Sequence, residues 1–250
     1  MNATEPLPEG FDPHGPLAQV AQTVLDGLRR RHQYDVVGAE LLPRSGPCLL
    51  VVNHSLATYD ILLLGQTLLE RTGRLPRALG DKRLFQVPGL RQLVSYFGAV
   101  KASHDAADQL LAEGRVVIVA PGGMSEALRS SEQRYQVAWE QRKGFIELAV
   151  RAQSPIVLAA CPRADDLYDV DDSEVTRSFY ERWHVPLPFL RGEGGGLLPR
   201  AVKLRHYLSA PIAPPALPER ADPAPLVDAH HSEVVARMNA LMQEALAAGE

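Results

Sequence analysis

His54 and Asp60 are the residues whose types and spacing first point to chemistry, within the run Asn53-His54-Ser55-Leu56-Ala57-Thr58-Tyr59-Asp60. An imidazole held by a carboxylate keeps one ring nitrogen free as a base and stabilises the imidazolium that forms. That is the logic of a His-Asp pair acting on a hydroxyl. On a continuous helix an Asp six residues after a His lies about 120° away around the axis, so the pair meets only across a turn. Thr58 as a helix N-cap, with Asp60 in the first turn, would supply that turn. By spacing alone, a structural histidine near an acid is the competing reading.

A second constellation, Pro121-Gly122-Gly123-Met124-Ser125-Glu126, directly follows the apolar run Arg115 to Ala120. Two glycines after a strand let the backbone approach a ligand closely and present N–H groups to an anion or a developing oxyanion. No Gly-Lys-Ser/Thr follows, so this is not a nucleotide P-loop, and the G-x-G-x-x-G spacing is absent. The chain also lacks the G-x-S-x-G turn of serine hydrolases.

The elements that must position these groups follow from periodicity. Leu17, Val20, Ala21, Val24, Leu25 and Leu28 recur at helical steps and predict an amphipathic helix over 16–32. Its terminal Arg29, Arg30 and Arg31 suit either a helix dipole or anionic headgroups. Strands are expected over Tyr34–Val37, Cys48–Asn53, Arg77–Gly80, Arg115–Ala120, Pro155–Ala160 and Ala201–Ser209. Helices are expected over Tyr59–Arg71, Leu90–Phe97, Asp105–Glu113 and Val137–Ala152. This alternation predicts a single α/β domain with a mostly parallel central sheet flanked by helices. A Pro-rich connector, residues 216 onward, leads to a last amphipathic helix carrying Val234, Met238, Leu241 and Met242. The stretch Trp183–Pro199 is Gly/Pro-rich yet apolar, and reads either as a loop folded on the core or as a lip for a lipid interface.

Composition sets the outer bounds. With 250 residues, 46% hydrophobic and 22% charged, the chain is long enough to bury a core without disulfide or metal staples. A net charge of −4 argues against broad nucleic-acid binding, which needs a basic surface. Cys48 and Cys161 sit beside aliphatic runs and are expected to be buried thiols. The polar start, residues 1–15, reads as a flexible terminus and not a signal peptide, and no run approaches membrane-spanning length. The expected location is therefore cytoplasmic, with peripheral contact on the inner face of a membrane.

Together these motifs resemble the lysophospholipid, or glycerolipid, acyltransferase superfamily. The chain is most similar to its branch of phytyl ester synthases and diacylglycerol acyltransferase-like proteins. That branch shares the H-x5-D spacing of His54 and Asp60, where the main family has H-x4-D. Its Pro-Gly-Gly-x-x-Glu block is matched by Pro121, Gly122, Gly123 and Glu126. Its Tyr, Trp, Arg and Gly-Phe series is matched by Tyr135, Trp139, Arg142, Gly144 and Phe145, and a Pro-led strand follows at Pro155-Ile156-Val157. The resemblance spans about residues 35–215 and implies an acyltransferase domain over 33–215.

The resemblance implies acyl transfer from acyl-CoA or an acyl carrier protein to a lipid hydroxyl, without a metal or other cofactor. His54 would be the base and Asp60 its partner. Asn53, Gly122, Gly123, Glu126 and Arg142 would contact substrate. The family's E-G-T-R-S block, whose arginine is thought to hold an acceptor phosphate, is replaced here by Gly123-Met124-Ser125, which implies a neutral lipid or alcohol acceptor. Arg129, Lys101 or Arg142 could still contact phosphate. The basic residues Arg71, Arg74, Arg77, Lys82, Arg83, Arg91 and Lys101 form either a solvated face or a site for the donor's phosphates. The rivals are a lysophospholipid or glycerol-phosphate acyltransferase, a non-catalytic lipid-binding protein, and a thioesterase using Cys161. The remaining histidines, His206 among them, read as surface or structural residues.

Overall fold

Five consecutive apolar residues, Cys48–Val52, have no polar face, so a strand built from them must be covered on both sides. The computed structural model, which describes residues 15–80, 84–86, 94, 95, 97–170, 178, 182, 190–216 and 222–249, places them at the centre of a sheet with no exposure to solvent. In chain order the strands are β1 (Asp35–Val37), β2 (Cys48–Val52), β3 (Arg77–Gly80), β4 (Val100–Lys101), β5 (Val116–Val119), β6 (Ile156–Ala160), β7 (Asp169–Val170), β8 (Leu190–Arg191) and β9 (Arg205–Leu208). The helices are α1 (Pro16–His32), α2 (Tyr59–Thr72), α3 (His104–Ala112), α4 (Gly123–Ala127), α5 (Gly144–Arg151) and α6 (Ala224–Ala248).

Seven strands form one sheet in the order β1-β9-β6-β2-β5-β3-β4, and β7 and β8 form a small antiparallel pair. All neighbours in the large sheet are parallel except β6 and β9. Alternate residues of β2 serve two separate cores. Leu49 and Val51 pack with α3, α5 and α6, through Leu111, Ile146 and Met238 among others. Cys48, Leu50 and Val52 pack against Leu64 and Leu68 of α2. Each fully buried Leu or Val contributes about 1.5–3 kcal/mol, so this strand is a large part of what holds the layers together. The expected α/β domain with a mostly parallel sheet between helical layers is what the structure contains.

The register fixes where the motifs emerge. Val51 is opposite Val119 of β5 and Leu158 of β6, so the residues after all three strands meet at one edge of the sheet. In parallel sheets this carboxyl edge is where ligands bind.

Two elements depart from the periodicity. The helix expected over Val137–Ala152 begins only at Gly144. Tyr135 and Glu140 adopt positive φ (63° and 47°), which breaks a helix, and Trp139 is drawn into the core. The strand expected from Ala201 is confined to Arg205–Leu208. The helix expected near Leu90 and the residues Trp183 to Phe189 lie largely or wholly outside the described residues, as do positions 1–14.

Helix α1 buries Ala18, Ala21 and Leu25. Its Arg29 binds Glu70 and Thr67 of α2, and Arg31 binds Glu193 and the Pro199 carbonyl. Two of the three terminal arginines therefore join elements of the fold. Both cysteines are free and buried.

Candidate active site

The chain leaves β2 at Asn53. Its amide exchanges two hydrogen bonds with Cys161: Nδ2 donates to the Cys161 carbonyl at 3.3 Å, and the Cys161 N–H donates to Oδ1 at 2.8 Å. Asn53 has no exposed surface, so it clamps the ends of β2 and β6 instead of contacting substrate as expected.

His54 follows, at the mouth of the edge. Its Nδ1 lies 2.9 Å from the Ser55 carbonyl. A carbonyl only accepts, so Nδ1 carries the proton and Nε2 holds the lone pair. Nε2 makes no hydrogen bond with the described residues and is not sealed in the interior. Burial of the ring and the nearby Arg129 charge hold its pKa below the ordinary value, which keeps the imidazole neutral at neutral pH, its Nε2 lone pair unprotonated.

Asp60 does not reach that ring. The turn between them does form, with Thr58 at the N-cap position of α2, but Thr58 sits at φ 60° and its side chain caps no N–H. Its hydroxyl donates back to the Ser55 carbonyl at 3.3 Å. This left-handed turn of a β-branched residue, worth roughly 1–3 kcal/mol of strain, directs Asp60 beneath the loop. There Oδ1 accepts from Ser55 Oγ at 3.0 Å, and Oδ2 faces His206 Nε2 at 3.8 Å. Burial raises the Asp60 pKa to about 6, against the stabilising Ser55 hydrogen bond. Ser55 thus links the two motif residues, its carbonyl holding His54 and its hydroxyl holding Asp60. A serine between two motif residues carries no periodic signal, so the sequence alone does not single it out.

The glycine block enters from β5. Gly123 adopts φ +51°, and its N–H donates to the Ala120 carbonyl at 3.0 Å, so this expected oxyanion donor is already engaged. The Gly122 N–H has no partner among the described residues. A side chain at Gly122 would run into Glu126, whose Cβ lies 2.4 Å from where a Cβ would stand. Glu126 is fully buried, with Oε2 accepting from Trp139 Nε1 at 3.2 Å, and burial raises its pKa to about 7. Arg142 donates to the Pro121 and Gly122 carbonyls and, at 2.8 Å, to Ser125 Oγ, so it braces the block from outside.

Arg129 joins the two halves. It donates to the His54 carbonyl at 3.3 Å, to the Glu126 carbonyl at 2.8 Å, and to Asp165, itself buried. With only 6% of its side chain exposed, it is unavailable to a substrate phosphate. Of the basic run read as a donor-phosphate site, Arg71 binds Asp35 and the Val36 carbonyl. Arg74 is buried on the carbonyls of Pro43, Gly46 and Gly114, and Arg77 donates to the Gly98 carbonyl. These three serve the fold, Lys101 stands exposed at the end of β4, and Lys82, Arg83 and Arg91 lie outside the described residues.

One grouping among the described residues could hold a metal: Asp60, Cys161 and His206, with ligand atoms within 4.8 Å of one another. Burial and the neighbouring Asp60 push the Cys161 thiol well above its ordinary pKa. The thiol is thereby held in its protonated, less nucleophilic form.

An apolar cavity of about 530 Å³ opens between α1 and α2, lined by Ala21, Leu25, Leu69, Phe97 and Ile118 among others. Its size falls in the range of small-molecule sites. No helix among the described residues is long and apolar enough to cross a membrane.

The carboxyl edge of the sheet thus holds a neutral histidine whose Nε2 is unengaged by the described residues, together with the glycine turn, and a separate apolar cavity lies between α1 and α2. The chain belongs to the Acyltransferase family, whose model matches residues 33–161. The "DGAT1/2-independent enzyme synthesizing storage lipids" of Homo sapiens is 30% identical over 182 residues, covering 72% of this chain and 54% of that protein. An uncharacterized protein of Mycobacterium tuberculosis is 28% identical over 209 residues, covering 81% of this chain and 58% of its own length. The chain thus spans about half the length of the curated relatives it matches. Among solved structures, the 1-acyl-sn-glycerophosphate acyltransferase PlsC of Thermotoga maritima shares the fold, with a TM-score of 0.50 and 18% identity over 88% of this chain and 80% of that one.

Proposed function

We propose that this chain moves a fatty acyl group from an acyl thioester, on coenzyme A or an acyl carrier protein, to the hydroxyl of a lipid acceptor. The observation that carries the reading is the His54 imidazole, with Nδ1–H fixed by the Ser55 carbonyl and Nε2 free at the carboxyl edge of the sheet. The acceptor hydroxyl gives its proton to Nε2 as its oxygen attacks the thioester carbonyl. The Gly122 N–H stabilises the developing oxyanion, the C–S bond breaks, and the leaving thiolate takes the proton back from the imidazolium. Asp60 assists through Ser55, and Gly123, Glu126 and Arg142 hold the turn that presents Gly122.

The acceptor is a neutral lipid or long-chain alcohol. Arg129 and Arg142, two of the three cations read as possible phosphate contacts, are both engaged by the protein's own groups. The name of the human relative, which refers to storage lipids, supports the same class. The cavity between α1 and α2 takes the acyl chain.

Contact with the cytoplasmic face of a membrane brings the acceptor in. Val20 and Val24, one turn apart on α1, are 63% and 56% exposed, and Leu197 and Leu198 are 67% and 70% exposed, in a loop that Arg31 ties to the end of α1; these two apolar patches are the proposed membrane contacts.

The experiment is free-thiol release from acyl-CoA and acyl carrier protein by wild type and His54→Gln, with diacylglycerol, long-chain alcohols and lysophospholipids as acceptors. Release that requires a neutral acceptor and His54 is expected. Release requiring a lysophospholipid would change the acceptor class, release without acceptor would mean a thioesterase, and indifference to His54 would overturn the reading.

A further inference from the structure

His206 lies on β9, in a part of the chain that none of the motifs touches. Because β9 runs antiparallel to β6, with Tyr207 opposite Ala160, the start of β9 returns to the carboxyl edge where Asp60 lies. His206 is completely buried. Its Nδ1 is 2.8 Å from the hydroxyl of Tyr34, and the two rings meet edge to face. Its Nε2 faces Asp60 Oδ2 at 3.8 Å. Neither of those two atoms has any hydrogen-bond partner among the described residues. Two sealed polar atoms with no other partner, facing each other less than 1 Å beyond bonding distance, each carry a desolvation cost that their mutual hydrogen bond would remove.

We propose that His206 and Tyr34 are positioning residues for the His54 site: Tyr34 fixes the tautomer of His206, whose Nε2–H closes onto Asp60 and holds the carboxylate that anchors Ser55. The proposal rests on the acyl-transfer reading above. The donors run in order. The Tyr34 hydroxyl donates to His206 Nδ1, which leaves the ring proton on Nε2, aimed at Asp60 Oδ2. Asp60 Oδ1 accepts from Ser55 Oγ, and the Ser55 carbonyl accepts from His54 Nδ1. A loosened Asp60 lets Ser55 turn, and with Ser55 turns the carbonyl that sets which nitrogen of His54 is the base. Burial holds the His206 pKa near 3, so this ring acts as a neutral donor and not as a second base.

The other titratable groups facing Asp60 are Tyr34 ahead of β1, Tyr59 on α2, Cys161 after β6, and Asp165 in the turn beyond it. Tyr34, Tyr59 and Cys161 are all raised by burial and keep their protons throughout the neutral range. Asp165 is bound to Arg129. Removing the Nε2–H donor disfavours the charged carboxylate, so the pH below which activity is lost moves upward.

The test compares wild type, His54→Gln, Tyr34→Phe, His206→Leu and His206→Gln, each checked for folding by circular dichroism, in thiol-release assays across pH. Expected are a fall in kcat of about tenfold with little change in KM for Tyr34→Phe and His206→Leu, and an upward shift of the acidic limb. In His206→Gln, whose amide can donate in place of Nε2–H, both effects are partly restored. A His54→Gln variant that turns over normally would sink the acyl-transfer reading itself. With His54 required, an unmoved acidic limb and unchanged kcat in Tyr34→Phe would overturn this inference alone, even if His206→Leu fails to fold. Loss of activity on chelation with restoration by zinc would replace the hydrogen-bonding role with ligation and overturn it as well.

Discussion

Nη1 of Arg129 donates to the carbonyl of His54 at 3.3 Å and to the carbonyl of Glu126 at 2.8 Å, so one guanidinium nitrogen fixes the distance between the histidine motif and the glycine block. The other arm of the same group binds Asp165. Replacement by an apolar side chain leaves Asp165 and Glu126 buried without a counter-charge. Arg129→Met is expected to lower stability by about 3–5 kcal/mol in urea unfolding, and turnover at least tenfold. Arg129→Lys keeps the charge but not the fork, and is expected to recover stability better than turnover.

The two glycines are expected to fail differently. At Gly123 the obstacle is φ +51°, and a Cβ would stand 3.3 Å from the flexible end of Arg142. Gly123→Ala should therefore cost only about 1–2 kcal/mol. At Gly122 the backbone is helical, but a Cβ would stand 2.4 Å from the Cβ of Glu126. Gly122→Ala must expel Glu126 from its bond to Trp139, and should show the larger loss of stability together with a change in Trp139 fluorescence.

Two buried acids make stability fall as pH rises. Asp60 is raised from 3.8 to about 6, and Glu126 from 4.5 to about 7. Between each pair of values the folded state binds the proton that the unfolded state has released, so the contribution is fully present below the lower value and lost above the upper one. Unfolding free energy from these groups is expected to be higher at pH 5 than at pH 7.5. Asp60→Asn and Glu126→Gln should each flatten that slope in denaturant titrations, and Asp60→Asn is expected to lose activity while gaining stability at pH 7.5.

The leucine patch is tested by charge. Leu197→Asp combined with Leu198→Asp should abolish co-sedimentation with anionic phospholipid vesicles, while leaving thermal unfolding within about 0.5 kcal/mol of wild type because both side chains are exposed. Unchanged sedimentation would remove this surface from the membrane contact.

How much of this was legible depended on how local the signal was. The continuous apolar runs at Cys48–Val52 and Ile156–Ala160 identified buried parallel strands, since strands covered on both faces cannot alternate. His54 and the glycine block stood out because each is a short motif after such a strand. The apolar spacing from Val137 is real, but Trp139 is used to satisfy Glu126 thirteen residues earlier, which periodicity does not register.

The amino-acid sequence by itself determined the α/β alternation, the edge at which the site must lie, and the histidine and glycines placed there. These follow from residues close together in the chain. Only the tertiary structure decided who holds whom. Asp60 serves Ser55 and faces His206 instead of touching His54, Asn53 clamps Cys161, and Arg129 reaches across 75 residues to the carbonyl of His54. A buried polar atom must find a partner wherever the fold brings one, and that choice is made by strand order and burial, not by spacing.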